Sequence, residues 1–238
     1  VRVDKLSLSE ILNSHHEIAA EYLDYIEITK SFQDYLRFGY YPFFLESIST
    51  YPVKLEEVTH LALDVDIASF EEVQYATIRN MKRLLYVISQ SVPFKPNIAK
   101  LAQKLDVSRN LLLKMLDLLD RAQILSLLQS DTKGISHLQK PDKIFLQNPN
   151  LVYMLSEGKP NIGSMRETFF FNQLQVQHEI TSSKWGDFLV NDTYTFEVGG
   201  PAKTHQQIRG VPNAYIAADA IEGGSGNKIP LWLFGFLY

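Results

Sequence analysis

The sequence predicts an α+β protein, and three observations carry that expectation. Residues 1 to about 90 place apolar side chains at helical spacing almost throughout. Residues 78 to 140 run helix, helix, turn, helix and then two short β-rich segments, which is the order of a winged helix. Residues 141 to 238 combine one helical run with several short strands. The expected division is 1–75, a helical region; 76–147, the winged helix; and 148–238, a small α/β domain.

Taken in order, "LSLSEIL" offers Ser7 or Ser9 as an N-cap ahead of an apolar-periodic run. "HHEIAAEYLDYIEITKSFQDYLRFG" continues that run and stops at Gly39, whose missing side chain suits a helix C-terminus. The aromatic cluster "YYPFFLES" around Pro42 reads as packing between helices rather than a ligand site. "SFEEVQYATIRNMKRLLYVISQS" is a further amphipathic helix, and Pro93 and Pro96 then break the chain. "NIAKLAQKL" is a short helix and "DVS" a tight turn. "RNLLLKMLDLLDRAQ" is a longer helix that Ser108 is placed to cap. "ILSLLQ" is a strand, "SDTKG" a turn and "KIFLQN" the returning strand. Beyond them, "GSMRETFFFNQLQVQ" is a helix, "KTHQQIRGV" a short helix, "AYIAADA" a strand and "GGSGN" a loop. The apolar end "KIPLWLFGFLY" reads as a strand or core segment that needs an interior place.

The formal net charge of −4 gives no global basic field toward nucleic acid or an anionic membrane, though a local basic patch stays open. The absence of cysteine excludes disulfides, thiolate zinc sites and cysteine nucleophiles, and it suits a reducing cytosol. No apolar run reaches membrane-spanning length, and the charged start "VRVDKLSLSE" lacks a signal-peptide core. A cytoplasmic location and no membrane partner are expected. The chain starts with Val rather than Met, so it reads as a piece of something longer.

The stretch "GDFLVNDTYTFEVGG" (186–200) carries the most chemistry. Two β-rich runs flank a polar turn at Asn191–Thr193. Counting outward from a three-residue turn, Val190 meets Tyr194, Leu189 meets Thr195, Phe188 meets Phe196 and Asp187 meets Glu197. The two acids would stand on one face with Cβ atoms about 5 Å apart. Like charges so placed are destabilising unless a cation or a proton intervenes. Carboxylates at that spacing are hard ligands for Mg²⁺ or Mn²⁺. Glu167, in "MRET", is a candidate third ligand, or else a partner of Arg166 or Lys203. Against the metal reading stands the plainer one, of two solvated and unrelated strand-end acids.

Other candidates are weaker. Arg109, Asn110 and Lys114 start the second helix of the helix-turn-helix, where a DNA reader makes its contacts. Asp117 and Asp120 share that helix, which favours a packing or protein-contact role over sequence-specific reading. "GGSGNK" (223–228) lacks P-loop spacing, and Ile-Pro follows where a helix should begin, so it reads as a turn. His15, His16, His60, His137, His178 and His205 show no metal-ligand spacing. His205 lies near the hairpin in sequence, where a solvated surface role outweighs a proton-donor or outer-shell one. No serine-triad motif is present.

Several stretches run in a familiar order: "VDKLSLSEIL", "FQDYLRFGYYPFFLE", "LAQKLDVSRNLLLKMLDLLDRAQIL", "KPDKIFLQN", "RETFFFNQL", "DFLV", "FEVGG" and "KIPLWLFGFLY". Together they resemble the C-terminal region of bacterial and archaeal AAA-type ATPases of the helicase-like group. In that family a P-loop domain precedes a helical lid, a winged helix and a C-terminal domain similar to the restriction-endonuclease-like fold. The resemblance implies a lid-like 1–75, a winged helix at 76–147 and an endonuclease-like 148–238. It implies an upstream ATPase domain as partner, with ATP bound only there, and no ATP hydrolysis by this chain alone. Nucleic acid or another protein is the further partner.

The endonuclease-like pattern is an acid, then an acid-x-Lys on the next strand. Asp187 matches the first acid and Glu197 the second, but Gly199 stands where the Lys belongs. Lys203 is the residue able to reach back in its place, with Asp187, Glu197 and Lys203 as a degenerate catalytic set. Three functions are thus in play: a non-catalytic regulatory and interaction module, a metal-dependent nuclease with a displaced lysine, and a winged-helix DNA-binding regulator. If Asp187 and Glu197 form an unpaired acidic pair, replacing either with Ala leaves metal-free stability unchanged or slightly higher.

Overall fold

A computed structural model describes residues 4–71, 73–90, 94–130, 140–157 and 159–237. The chain is α+β, with helices in its N-terminal part and a sheet toward its C-terminus. In chain order the elements are α1 (Leu8–Leu23), α2 (Ile28–Asp34), α3 (Tyr51–Leu61), α4 (Ala68–Glu71), α5 (Tyr75–Ser89), α6 (Ile98–Leu105) and α7 (Arg109–Arg121). There follow β1 (Leu125–Leu128), β2 (Lys143–Leu146), α8 (Pro149–Leu155), α9 (Ile162–Leu174), β3 (Ile180–Ser182), β4 (Phe188–Val190), β5 (Tyr194–Gly199), β6 (Ala214–Ala218) and β7 (Lys228–Pro230). Among the described residues no helix is long and apolar enough to cross a membrane.

By contacts the chain falls into two compact units, Val1–Arg37 with Met165–Tyr238, and Phe38–Ser164. The boundaries expected at 75 and 147 do not mark them. The reason is the apolar C-terminal segment, which takes its cover from the start of the chain. Leu6 N donates to Phe236 O at 2.7 Å, and the Tyr22 ring lies 5.1 Å from Phe236 and 6.3 Å from Trp232.

In the Phe38–Ser164 unit, α5 buries the stripe Ile78, Met81, Leu84, Leu85 and Ile88, at the spacing a helix needs to face a core. Asn97 caps α6 by accepting from Lys100 N at 3.1 Å, and Ser108 caps α7 by accepting from Leu111 N at 3.1 Å. Between them Asp106 takes a left-handed conformation, which closes the tight turn. β1 and β2 pair antiparallel with Leu125 opposite Leu146 and Leu128 opposite Lys143. Pro93 and most of the "SDTKG" turn (131–134) lie outside the described residues. The "YYPFFLES" aromatics pack on one another, with Tyr41 and Phe43 stacked at 5.5 Å and Phe43 and Tyr51 at 4.9 Å. Two buried asparagines around α8 hold them: Asn148 donates to Tyr41 Oη at 2.9 Å, and Asn150 accepts from Tyr40 N at 2.9 Å.

The other unit is built on a five-stranded sheet of order β3-β4-β5-β6-β7. The first three strands are antiparallel, and β6 and β7 run parallel to β5. β5 is central, and Thr195 to Val198 are all buried. α9 is buried without a break from Thr168 to Leu174, so it lies inside the core rather than on a surface. Phe170 is the hub, with ring centroids 5.3, 4.9 and 4.9 Å from Phe188, Phe196 and Phe234. The N-terminal end of α1 carries a capping box, Ser7 with Glu10. The long helix expected to end at Gly39 is broken between Asp24 and Glu27. The C-terminal segment is a strand for only three residues. Pro230, opposite Ala218, ends the ladder, and Leu231–Phe236 then winds as a 3₁₀ helix. "KTHQQIRGV" forms successive turns instead of a helix.

Candidate functional site

The β4–β5 turn sets the site. Asn191 and Asp192 both hold positive φ (51°), which short polar side chains tolerate, and Thr193 N donates to Val190 O at 3.1 Å. The register is then Val190–Tyr194, Leu189–Thr195 and Phe188–Phe196, as counted from the sequence. The ladder ends there. Asp187 N donates to Phe196 O at 2.8 Å, and Asp187 Oδ2 accepts from Val198 N at 3.0 Å. The first acid is thus turned onto the backbone of β5 instead of continuing the ladder opposite Glu197.

Glu197 sits in the middle of the central strand with its side chain 3 % exposed. Its neighbour on β6 is Ile216, part of an apolar cluster with Ile208, Ala214 and Ala218. A carboxylate there requires a partner, because removal from water penalises the charge. Lys203 supplies it, pairing Nζ with Glu197 Oε1. A turn returns the chain for this purpose, with Lys203 N donating to Gly200 O at 3.0 Å. Lys228, at the start of β7, donates to the carbonyls of Pro201 and Lys203 and holds that turn.

The two glycines now have a physical role. A Cβ at Gly199 would lie 2.8 Å from Lys203 Cγ and 2.9 Å from its Cβ and Cδ. The stem of Lys203 therefore occupies the place a side chain at 199 would take. A Cβ at Gly200 would lie 3.1 Å from an Arg166 Nη. Successive positions on an extended chain face opposite sides, so each glycine admits a cation from its own side. Arg166, on α9, pairs through Nε with Asp219 Oδ2 at 2.8 Å. Asp219 follows β6, and its backbone N donates to Gly199 O at 2.8 Å. This second ion pair had no local signal in the sequence, its partners being 53 residues apart.

Among the described residues no group of three or more His, Asp or Glu side chains is arranged to hold a metal ion. Glu167, Asp187 and Glu197 are therefore not gathered into a three-carboxylate centre. Arg109, Asn110 and Lys114 are exposed at the start of α7. On the same helix Asp117 pairs with Arg121 at 3.9 Å, and Asp120 accepts from Leu127 N at 3.2 Å. The "GGSGNK" loop is a turn leading into β7, and Gly224 lets it close on α1: a Cβ there would lie 2.6 Å from His15 Cδ2. His15 is buried, and burial, with His16 beside it, pushes its pKa down. Burial also lowers His178, whose Nδ1 is 3.1 Å from Asn191 Nδ2. His205 is exposed in the turns after β5, and His137 lies outside the described residues.

The fold and the site define an α+β protein whose central strand carries a buried glutamate paired with a partly exposed lysine from the turn that follows it. A family model described as a domain of unknown function (DUF8612) matches residues 29–161, more than half of the chain. The chain belongs to that family. The matched span covers the helices from α2 to α8 and leaves the five-stranded sheet outside it. No curated protein and no solved structure matches the chain.

Proposed function

We propose that the chain is a non-catalytic regulatory and interaction module of an AAA-type ATPase, acting in the cytoplasm after a separate P-loop domain. One observation carries the non-catalytic reading. The charge of Glu197, on which metal chemistry would depend, is already met by Lys203 in a nearly dry setting. Asp187 adds to this by binding the β5 backbone. The link to an ATPase rests on the ordered segments that resemble that family. The 38–164 unit, with three helices and a hairpin in winged-helix order, serves as the contact module in this reading.

A second reading is favoured by the stem of Lys203, which fills the place of a side chain at 199. On that reading Asp187 and Glu197 would hold Mg²⁺ or Mn²⁺, and Lys203 would support the phosphate under attack. The deciding test is a cleavage assay with each metal on single-stranded DNA, duplex DNA and RNA. It compares the unmodified chain with Glu197→Gln and with the double variant Gly199→Lys/Lys203→Ala. The non-catalytic reading expects no cleavage by any of the three. Metal-dependent cleavage that Glu197→Gln abolishes and the double variant keeps would overturn it and establish the nuclease.

A further inference from the structure

Helices α5 and α6 carry a surface of one sign. Residues 73 to 105 hold six Lys or Arg and no Asp or Glu, in a chain whose net charge is −4. The helices sort these cations onto one side. On α5, Arg79, Lys82, Arg83 and Tyr86 fall at helical spacing, and on α6 so do Lys100 and Lys104. With Lys95 they line two adjoining hollows of about 360 and 460 Å³ that share Tyr86, Val87 and Lys104. No carboxylate lines either hollow among the described residues.

An ordinary solvated helix face mixes signs, since opposite charges four residues apart stabilise it. Here both helices do the reverse. Arg79 and Arg83 repel at i,i+4, and Lys100 and Lys104 repel at i,i+4. Lys82 pairs with Asp64 at 2.7 Å, while the other five cations have no carboxylate partner among the described residues. Tyr86 stands among them with 57 % of its surface exposed, a large ring left uncovered beside the cations. Cations spaced along a groove meet a regularly charged backbone, and an exposed aromatic face beside them meets a base.

We propose that this α5–α6 groove binds single-stranded nucleic acid, with the cations on its phosphates and Tyr86 stacked on a base. The site is distinct from the start of α7 and does not depend on how the sheet is read. A chain with a negative net charge needs a local cationic patch to reach such a partner, so binding falls steeply with salt. About five phosphate contacts predict a slope of roughly −3 to −4 in log affinity against log salt concentration.

The test is fluorescence anisotropy of the whole chain with labelled single-stranded DNA, RNA and duplex oligonucleotides of about 20 nucleotides, over about 50 to 300 mM salt. Arg83→Glu/Lys104→Glu is expected to weaken single-strand binding at least tenfold. Tyr86→Ala is expected to weaken it about fivefold while leaving duplex binding unchanged. Arg109→Glu/Lys114→Glu is expected to change neither. Circular dichroism checks folding, and Lys95→Glu/Lys100→Glu is the second charge variant should the first lose structure. No binding at the lowest salt overturns the proposal. So does loss of binding on Arg109→Glu/Lys114→Glu with the groove variants intact. Equal competition by polyglutamate, with no effect of Tyr86→Ala, would assign the groove to an acidic protein segment and overturn it as well.

Discussion

The two units of the chain put the same cations to opposite use. In the sheet unit Lys203 and Arg166 turn inward and meet Glu197 and Asp219, in pairs that are mostly buried. In the helical unit Arg79, Arg83, Lys100 and Lys104 turn outward and line two adjoining hollows. An inward ion pair fixes local geometry, because breaking it strands a charge away from water. An outward row of like charges costs a little stability and leaves a field in solution. Charge in one unit is a structural fastening, and in the other it is held ready for a partner.

The largest effect should come from unfastening the inward pair. Lys203→Met leaves the Glu197 carboxylate buried without its cation, and urea unfolding should show a loss of about 3 kcal/mol. That figure sits at the low end for such pairs because Lys203 keeps about a third of its exposure (32 %). Adding Glu197→Gln to Lys203→Met should restore part of the loss. No loss would show that the buried Glu197 does not depend on Lys203 for its stability.

A change of opposite sign is expected in the helical unit. Lys100→Glu replaces a repelling pair with a Glu four residues ahead of Lys104, the favoured orientation. Urea unfolding should show a gain of roughly 0.3–0.5 kcal/mol, together with weaker nucleic-acid binding. A variant that is less stable and binds unchanged would erase the contrast between the units.

The smallest effect concerns His15, another titratable group turned inward. Burial depresses its folded pKa below the unfolded value, so below about pH 6.5 the unfolded chain binds the proton more readily. Its contribution is complete above that pH and is lost as pH falls toward the lower folded value. Melting followed by circular dichroism should show a lower Tm at pH 5.5 than at pH 7.5, and His15→Gln should flatten that difference. His178 acts in the same direction, so some dependence remains in the variant.

How legible all this was varied with the range of the interaction. The β4–β5 register could be counted because Asn191 and Asp192 accept the turn conformation and the alternation fixes the rest. Ser7 and Ser108 could be named as caps because their partners lie three residues away. Lys203 was visible only as a residue able to reach back, and its pairing with Glu197 depends on the turn that Lys228 holds. Arg166 with Asp219, and Asn150 with Tyr40, join distant segments and leave no periodic trace. The packing of residues 1–37 with the sheet was hidden for the same reason: a helix shows that it has an apolar face but not what covers it.

The stem of Lys203 lying over Gly199 also has a consequence for inheritance. The two positions compete for one volume, so 199 cannot gain a side chain while the stem at 203 stays in place. A Lys arriving at 199 is tolerated only after 203 has shortened, and a longer residue at 203 only while 199 stays Gly. Related chains should therefore not combine a side chain at 199 with a long residue at 203, and the order of the two changes along a lineage is set by packing.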